Sequence, residues 1–409
     1  MHATGTRYLT LDAMRGFAVM GILAMNIIGF AMPEWAYITP AAYGGETVAD
    51  RVAWVFSFIF VDGKMRGLFS LLFGASMMLI IEGAVAKGEN PARVHYLRMT
   101  WLALFGLVHF YFIWFGDILF LYAIIGMIAF LFRDWAADTL VKRALWIFSA
   151  GLAFWGLQFG GLQVIQYLGT QPDAGANLAQ QYREILADPE FDYDIAGQIA
   201  LHRGAYWDIV SAKFASWADP FGTVLMSIGE TLPLMMIGMA MYKSRFITGE
   251  WNHADYHRWA WRLVPLGLLL TGLLALWMMA AQYDQITALV VFFFWGAIPR
   301  LMMTIGYAAL LLLLIARFHK HAWLARVAAA GRVAFSNYLG TSILMTTIFY
   351  GYGIGLFGEV SRYGLWLFVI GAWAIMLYWS KPWLMHFNYG PLEWLWRSLA
   401  RGNIQTLRR

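Results

Sequence analysis

Asp12-Ala-Met-Arg15-Gly-Phe-Ala-Val-Met-Gly-Ile-Leu-Ala-Met-Asn26-Ile-Ile-Gly-Phe-Ala-Met32 decides the fold class. It holds two charges at one end, one amide near its middle and almost nothing else polar. About 20 apolar residues cross the hydrocarbon core of a bilayer as a helix, and this run has that length. The rest of the chain repeats the pattern. Of 409 residues, 61% are hydrophobic, 17% aromatic and only 13% charged. A soluble domain carries about a quarter charged residues, so a chain this poor in charge requires lipid around most of its surface. There is no cysteine, which removes disulfides, thiolate metal sites and cysteine nucleophiles.

Spans are expected near 12–32, 65–85, 97–115, 117–133, 144–165, 224–242, 263–281, 291–316, 334–351 and 363–380, ten in all, with 48–63 open as a separate or broken helix. Charge gives the orientation. With the N-terminus cytoplasmic, the inner connections hold Lys87, Arg93, Arg98, then Arg133, Lys142, Arg143, then Lys243, Arg245, Arg258, Arg262, then Arg317, Lys320, Arg326, Arg332. The 381–409 tail adds Lys381, Arg397, Arg401, Arg408 and Arg409, and Arg7 and Arg15 lie on the same side. Glu34, Glu46, Asp50, Asp188, Glu190, Asp192 and Asp194 fall outside. The positive-inside rule therefore predicts both termini in the cytoplasm. The first span is too long for a cleaved signal sequence, and no small-residue site follows it, so it reads as a retained anchor. The expected domain is a single membrane-embedded helical unit over 1–409. Its 168–205 loop is expected outside, with a short helix at Asn177–Leu186 and an amphipathic, interface-lying stretch at Tyr206–Trp217. No internal repeat supports an inverted-repeat transporter.

Ionisable groups within spans cost a few kcal/mol unless paired or hydrated, so they mark candidate sites. Counted from the cytoplasmic ends at 1.5 Å per residue, His109 and Asn26 reach roughly 16 Å, Glu230 roughly 20 Å and Arg300 roughly 26 Å. Asp117 opens the fourth span, and Asp62, Lys64 and Arg66 flank the second. Each has two readings. His109, the one histidine inside an expected span, is an interhelical donor or a general base. Asp117 caps a helix or orients His109, although a straight helix separates the two by roughly 10 Å. Glu230 and Arg300 form a structural ion pair or bind substrate together with Lys64 and Arg66. Asn26 bonds a neighbouring helix or serves an oxyanion. Arg15 and Arg332 anchor the inner face or hold phosphates. His109, Asn26, Glu230 and Arg300 are expected to share one hydrated cavity. Gly353-Ile-Gly355-Leu-Phe-Gly358 matches the dinucleotide fingerprint literally, but it follows a hydrophobic helix rather than a strand and is set aside.

Several runs together resemble the YeiB family of bacterial membrane proteins. They are Leu11-Asp-Ala-Met-Arg15-Gly16 with Gly21–Asn26, Asp62-Gly-Lys64 with Leu68–Gly74, and His109 with Trp114-Phe-Gly-Asp117 and Tyr122. Gly331-Arg332, Ser336-Asn-Tyr338 and Gly390-Pro-Leu-Glu-Trp-Leu-Trp-Arg397 complete the set. The family is similar, more distantly, to the transmembrane acyltransferases, which include the lysosomal heparan-glucosaminide acetyltransferase and envelope-glycan O-acetylases. That resemblance implies an enzyme of the bacterial cytoplasmic (inner) membrane. Its expected donor is cytoplasmic acyl-CoA (acetyl-CoA), used without a metal, and its expected acceptor is a small molecule or glycan outside. A homodimer is compatible with this, and no nucleic-acid partner is expected. Asn26 matches an active-site Asn of the lysosomal enzyme; the His that accompanies it there has no counterpart within Tyr37–Tyr43. His109, oriented by Asp117, is then the candidate base. The alternative function is a proton-coupled small-molecule transporter or exporter using His109, Glu230 and Arg300.

Overall fold

The computed structural model describes residues 2–172, 175–187 and 192–409, with side chains from Leu9 onward. The expectations for Asp188 and Glu190, and for the Arg7 side chain, lie outside the described residues. What is described is all helical. In chain order the helices are α1 (His2–Ala31), α2 (Trp35–Ile38), α3 (Val48–Phe60), α4 (Lys64–Val85), α5 (Pro91–Phe112), α6 (Leu119–Ala129) and α7 (Ala137–Gly169). The 168–205 region carries α8 (Ala176–Leu186) and α9 (Ile195–Arg203), and is followed by α10 (Tyr206–Ala215). Then come α11 (Asp219–Lys243), α12 (His253–Ala280), α13 (Gln285–Val290), α14 (Ala297–Phe318), α15 (Ala322–Arg332), α16 (Ala334–Phe349), α17 (Leu365–His386) and α18 (Pro391–Arg401).

Among the described residues, seven helical stretches have the length and apolarity to cross a membrane: Leu9–Ala31, Val48–Val85, Ala137–Gly169, Asp219–Lys243, His253–Ala280, Ala297–Phe318 and Leu365–His386. The expected spans at 97–115, 117–133 and 334–351 are helical too, but α6 and α16 are short and α5 begins with several polar residues. The 48–63 stretch is a helix of its own. Thr47 and Asp50 form a reciprocal capping box at its start, which satisfies two of the free backbone donors there. The helix stops at Phe60, and Gly63 opens α4 with φ +69°, a conformation glycine enters without a Cβ clash. Arg300 Cδ also lies 2.1 Å from where a Gly63 Cβ would stand.

The lipid-facing helices are distinguishable from the core ones. Along α7, Trp146, Phe154, Leu157 and Val164 are exposed, whereas α1 and the second half of α11, from Thr231 on, are largely covered. Lipid tails are as apolar as leucine, so helices in a bilayer associate by close packing rather than by the hydrophobic effect. Here small residues make that packing possible: a Cβ on Gly74 would sit 2.0 Å from Met235 O, and one on Gly238 2.0 Å from Leu71 O. Helices α4 and α11 thus meet backbone to backbone at two reciprocal glycines. Gly331 and Gly16 do the same where α15 crosses α1.

Outside the spans, α9 is fastened by a buried histidine. Nδ1–H of His202 donates to Gln198 O at 2.8 Å, and its ring stacks on Phe357 with centroids 4.4 Å apart. Burial lowers the imidazole pKa to about 4. The unfolded chain takes a proton near pH 6.5 and the folded one only near 4, so this packing weakens as pH falls through that window. By pH 5 the loss is on the order of 2 kcal/mol. Melting curves at pH 7 and pH 5 should therefore show a drop in the wild type that is smaller in His202→Phe. Equal drops in both would remove the histidine from the account.

Candidate functional site

Three elements of α5, the turn after it and α6 bring His109 and Asp117 together. Helix α5 ends at Phe112, and the amides of Ile113 and Trp114 both turn back to His109 O. The chain then runs without regular helix until Leu119. The rise-per-residue distance between His109 and Asp117 therefore does not apply: Nδ1 of His109 lies 2.8 Å from Asp117 Oδ1. Both side chains are sealed from solvent, at 0% and 2% exposure. Asp117 Oδ2 meanwhile accepts from Phe120 N at 2.8 Å. One carboxylate thus caps α6 and holds the imidazole at the same time.

A carboxylate at Nδ1 fixes that nitrogen as the protonated one and leaves the lone pair on Nε2. Nε2 is buried and has no hydrogen-bond partner among the described residues. Buried polar atoms are rarely orphaned without a functional reason. Around it stand Trp114 and Tyr338, with ring centroids 6.2 and 5.2 Å from the imidazole. Trp114 is itself locked to α1 by stacking on Phe30 and by donating to Gly29 O at 3.1 Å.

Tyr338 also lines a cavity of about 370 Å³, within the usual range for small-molecule sites. Its apolar lining includes Phe69, Phe73, Leu102 and Leu119, with the rings of Tyr122 and Tyr338. Arg15, Arg98, Arg332 and Arg397 line it as well, beside two carboxylates, Asp12 and Glu393. The four arginines are not equivalent. Arg15 is committed to Asp12 at 2.8 Å and to Ser76 at 2.9 Å. Arg332 is exposed and donates to Asn388 O at 3.3 Å. Arg98 lies 4.1 Å over the Trp396 ring and Arg397 4.7 Å over Tyr389. Neither of these two has a carboxylate in salt-bridge range among the described residues. Burial and the neighbouring guanidiniums Arg401 and Arg15 pull the Arg397 pKa down, against the opposing pull of Tyr389 and Glu393.

Another part of the wall comes from the C-terminal segment. Glu393 on α18 accepts from Phe335 N at 2.7 Å, Ser336 N at 3.0 Å and Ser336 Oγ at 2.6 Å. A carboxylate is thereby clamped onto the N-terminus of α16, where free amides and the helix dipole favour negative charge. Trp396 Nε1 donates to Arg98 O at 2.9 Å. Helix α18 of the 381–409 region is accordingly docked against α5 and α16.

The remaining candidates do not join His109. Glu230 accepts from Arg66 Nη2 at 2.9 Å and lies 3.3 Å from Arg300 Nε. These three line a separate pocket of about 60 Å³. Asn26 lines a small, mainly apolar void with Tyr338, Thr341 and Ser342. Lys64 is turned away, donating to Phe58 O. The expectation of one polar cavity holding His109, Asn26, Glu230 and Arg300 is thus incorrect. A count of depth along a helix does not contain the direction in which each residue faces. Sequence reasoning also passed over Arg98, Arg397 and Glu393, because basic residues at an inner face are already explained by the charge rule.

With this geometry in hand, comparison with known proteins gives a consistent answer. The family described as "Protein of unknown function (DUF418)" matches residues 241–403. "Uncharacterized protein YeiB" of Escherichia coli (strain K12) is 31% identical over 96% of this chain and 96% of its own length. The chain belongs to the YeiB family. A second YeiB-like relative, "Uncharacterized protein YxaH" of Bacillus subtilis (strain 168), is 32% identical over 97% of this chain and 94% of its own. The "Uncharacterized 39.9 kDa protein in amylase 3'region" of Bacillus acidopullulyticus is 26% identical over 97% of the chain and 95% of its own. No solved structure matches.

Proposed function

We propose that this YeiB-family chain is an acyltransferase of the bacterial cytoplasmic membrane, taking an acyl group from acyl-CoA and passing it to an acceptor hydroxyl or amine. The observation that carries this reading is the cavity's polarity. Its uncommitted guanidiniums, Arg98 and Arg397, suit phosphates, and its apolar lining includes Tyr338, whose ring stands beside the imidazole of the His109–Asp117 pair. A donor with a polyphosphorylated head and a narrow acyl-bearing arm carries the same two kinds of surface. Under the positive-inside orientation the arginines lie on the cytoplasmic side, where acyl-CoA is found.

In the reaction, His109 Nε2 takes the proton of the acceptor nucleophile as that atom attacks the thioester carbonyl. The carbonyl re-forms as the carbon–sulfur bond breaks, and CoA leaves as its thiol once protonated. Asp117 keeps the imidazole in the required tautomer and offsets the charge it gains. The enclosed Nε2 meets substrate only when the Tyr338 ring moves, so Tyr338 is the gate of this scheme. Asn26, which lines a small void with Tyr338, is the candidate oxyanion donor. A transporter using His109, Glu230 and Arg300 as one site has less support, because those groups lie in separate surroundings.

The test is equilibrium binding of acetyl-CoA to the purified protein in detergent. Saturable binding that desulfo-CoA competes for and free adenosine does not is the expected result. Absence of saturable binding overturns the donor assignment.

A further inference from the structure

The pocket built by Arg66, Glu230 and Arg300 lies in the half of the bundle away from the arginine-lined cavity: Arg66 is in the first turn of α4, and Arg300 in the first turn of α14. It is a charged site set in an apolar surface. Two arginines share the one carboxylate of Glu230. Asp62, the nearest further acid in sequence, accepts from Tyr37 OH at 3.1 Å and is not part of the pocket wall. The wall itself carries two cations and one carboxylate, which leaves one positive charge uncompensated there. At membrane depth such an excess is costly unless something anionic meets it.

The surroundings indicate where that anion comes from. The pocket wall includes Trp155 of α7, Met226 of α11 and the π-helical turn Val291–Trp295. On both sides of the pocket the outward surface is apolar and exposed: Leu157 at 82%, Leu225 at 73%, Met226 at 49% and Trp295 at 48%. The charged side chains themselves are not sealed, with 26% exposure at Arg66 and 21% at Glu230. A π-turn inside a helical run is uncommon and clusters at functional sites. Here it turns Phe292 O towards Arg300 Nη1, which donates to it, so Arg300 is aimed at the pocket rather than along α14.

We propose that this pocket is a lateral binding site for a membrane lipid carrying a single negative charge on a phosphodiester head, reached from the bilayer at the exposed Met226 rim. One phosphodiester neutralises the excess charge of the cluster, and the acyl chains lie along the exposed apolar surface of α7 and α11. The pocket shares no lining residue with the donor cavity, so acetyl-CoA binding and lipid binding are measured separately.

Native mass spectrometry of the delipidated protein, titrated with palmitoyl-oleoyl phosphatidylglycerol or the matching phosphatidylcholine, tests it. The expected result is one phosphatidylglycerol bound at least ten-fold more tightly than phosphatidylcholine, with that preference abolished in the Arg66→Gln, Arg300→Gln double variant. Because removing both arginines leaves Glu230 alone and can unfold the protein, Met226→Trp provides the second reading. It fills the exposed rim, leaves every charge in place and is expected to weaken phosphatidylglycerol at least five-fold. Equal binding of the two lipids by the wild type overturns the proposal, as does unchanged phosphatidylglycerol affinity in Met226→Trp. Displacement of the lipid by millimolar glycerol 3-phosphate also overturns it, since the site then takes a soluble anion.

Discussion

His109→Ala lowers acyl transfer by at least about 100-fold, the usual contribution of a positioned general base, while leaving acetyl-CoA binding within a few-fold of wild type. The expectation follows from three features of one side chain. It is fully buried, its Nδ1 is held by Asp117 at 2.8 Å, and its Nε2 has no partner among the described residues. A packing histidine would have both nitrogens satisfied, as a buried polar group normally does. His95 has a different environment: its Nε2 meets Gly126 O at 3.0 Å and its ring stacks on Phe130. Asp117→Asn is expected to fall nearly as far as His109→Ala, because the amide no longer enforces the tautomer. Since Asp117 also caps α6 through Phe120 N, melting temperature must be measured beside activity. A large loss of activity with a small loss of stability supports the role in chemistry. Wild-type turnover in His109→Ala would make the residue part of the packing.

The second large effect is on donor affinity. Replacing Arg98 and Arg397 together by Gln should raise the KM for acetyl-CoA by on the order of 100-fold. Charge-assisted bonds to phosphate contribute about 1.5–3 kcal/mol each, and each factor of ten corresponds to about 1.4 kcal/mol. Turnover at saturating donor should change much less, since neither residue belongs to the His109–Asp117 pair. Arg15→Gln serves as the comparison. Its guanidinium already spends its bonds on Asp12 and Ser76, so its loss is expected to lower stability more than donor affinity. If Arg15→Gln and the Arg98/Arg397 variant behave alike, the cavity's arginines act only as anchors at the membrane face.

How much of this was readable in the amino-acid order differs from element to element. The membrane class was readable, because composition and the Asp12–Met32 run permit little else. The separate helix at 48–60 was half readable: Thr47 and Asp50 have the spacing of a capping box and Gly63 is a breaker, yet its apolar face continues into α4. The pairing of His109 with Asp117 was concealed by an assumption of straight helix, although Trp114-Phe-Gly116 interrupts the pattern where the chain turns. Helix α18 and Ser336 were both visible as family-like runs. Their contact through Glu393 was not, since nothing local in sequence says which helix end a distant carboxylate will cap. The same limit applied to Glu230. Its need for a partner was evident, and Arg300 was named, but Arg66 and Arg300 sharing it depends on how α4, α11 and α14 pack around Gly74 and Gly238.

The central claim is that a donor thioester is opened in this membrane domain, and the most direct measurement is release of free thiol from acetyl-CoA. Purified protein in nanodiscs would be supplied with acetyl-CoA and a bacterial envelope extract as the source of acceptor, and thiol would be titrated over time. The account predicts release that saturates with acetyl-CoA, requires the extract, and falls at least about 100-fold in His109→Ala. Saturable acetyl-CoA binding with no thiol released above the protein-free rate, or release unaffected by His109→Ala, would contradict it.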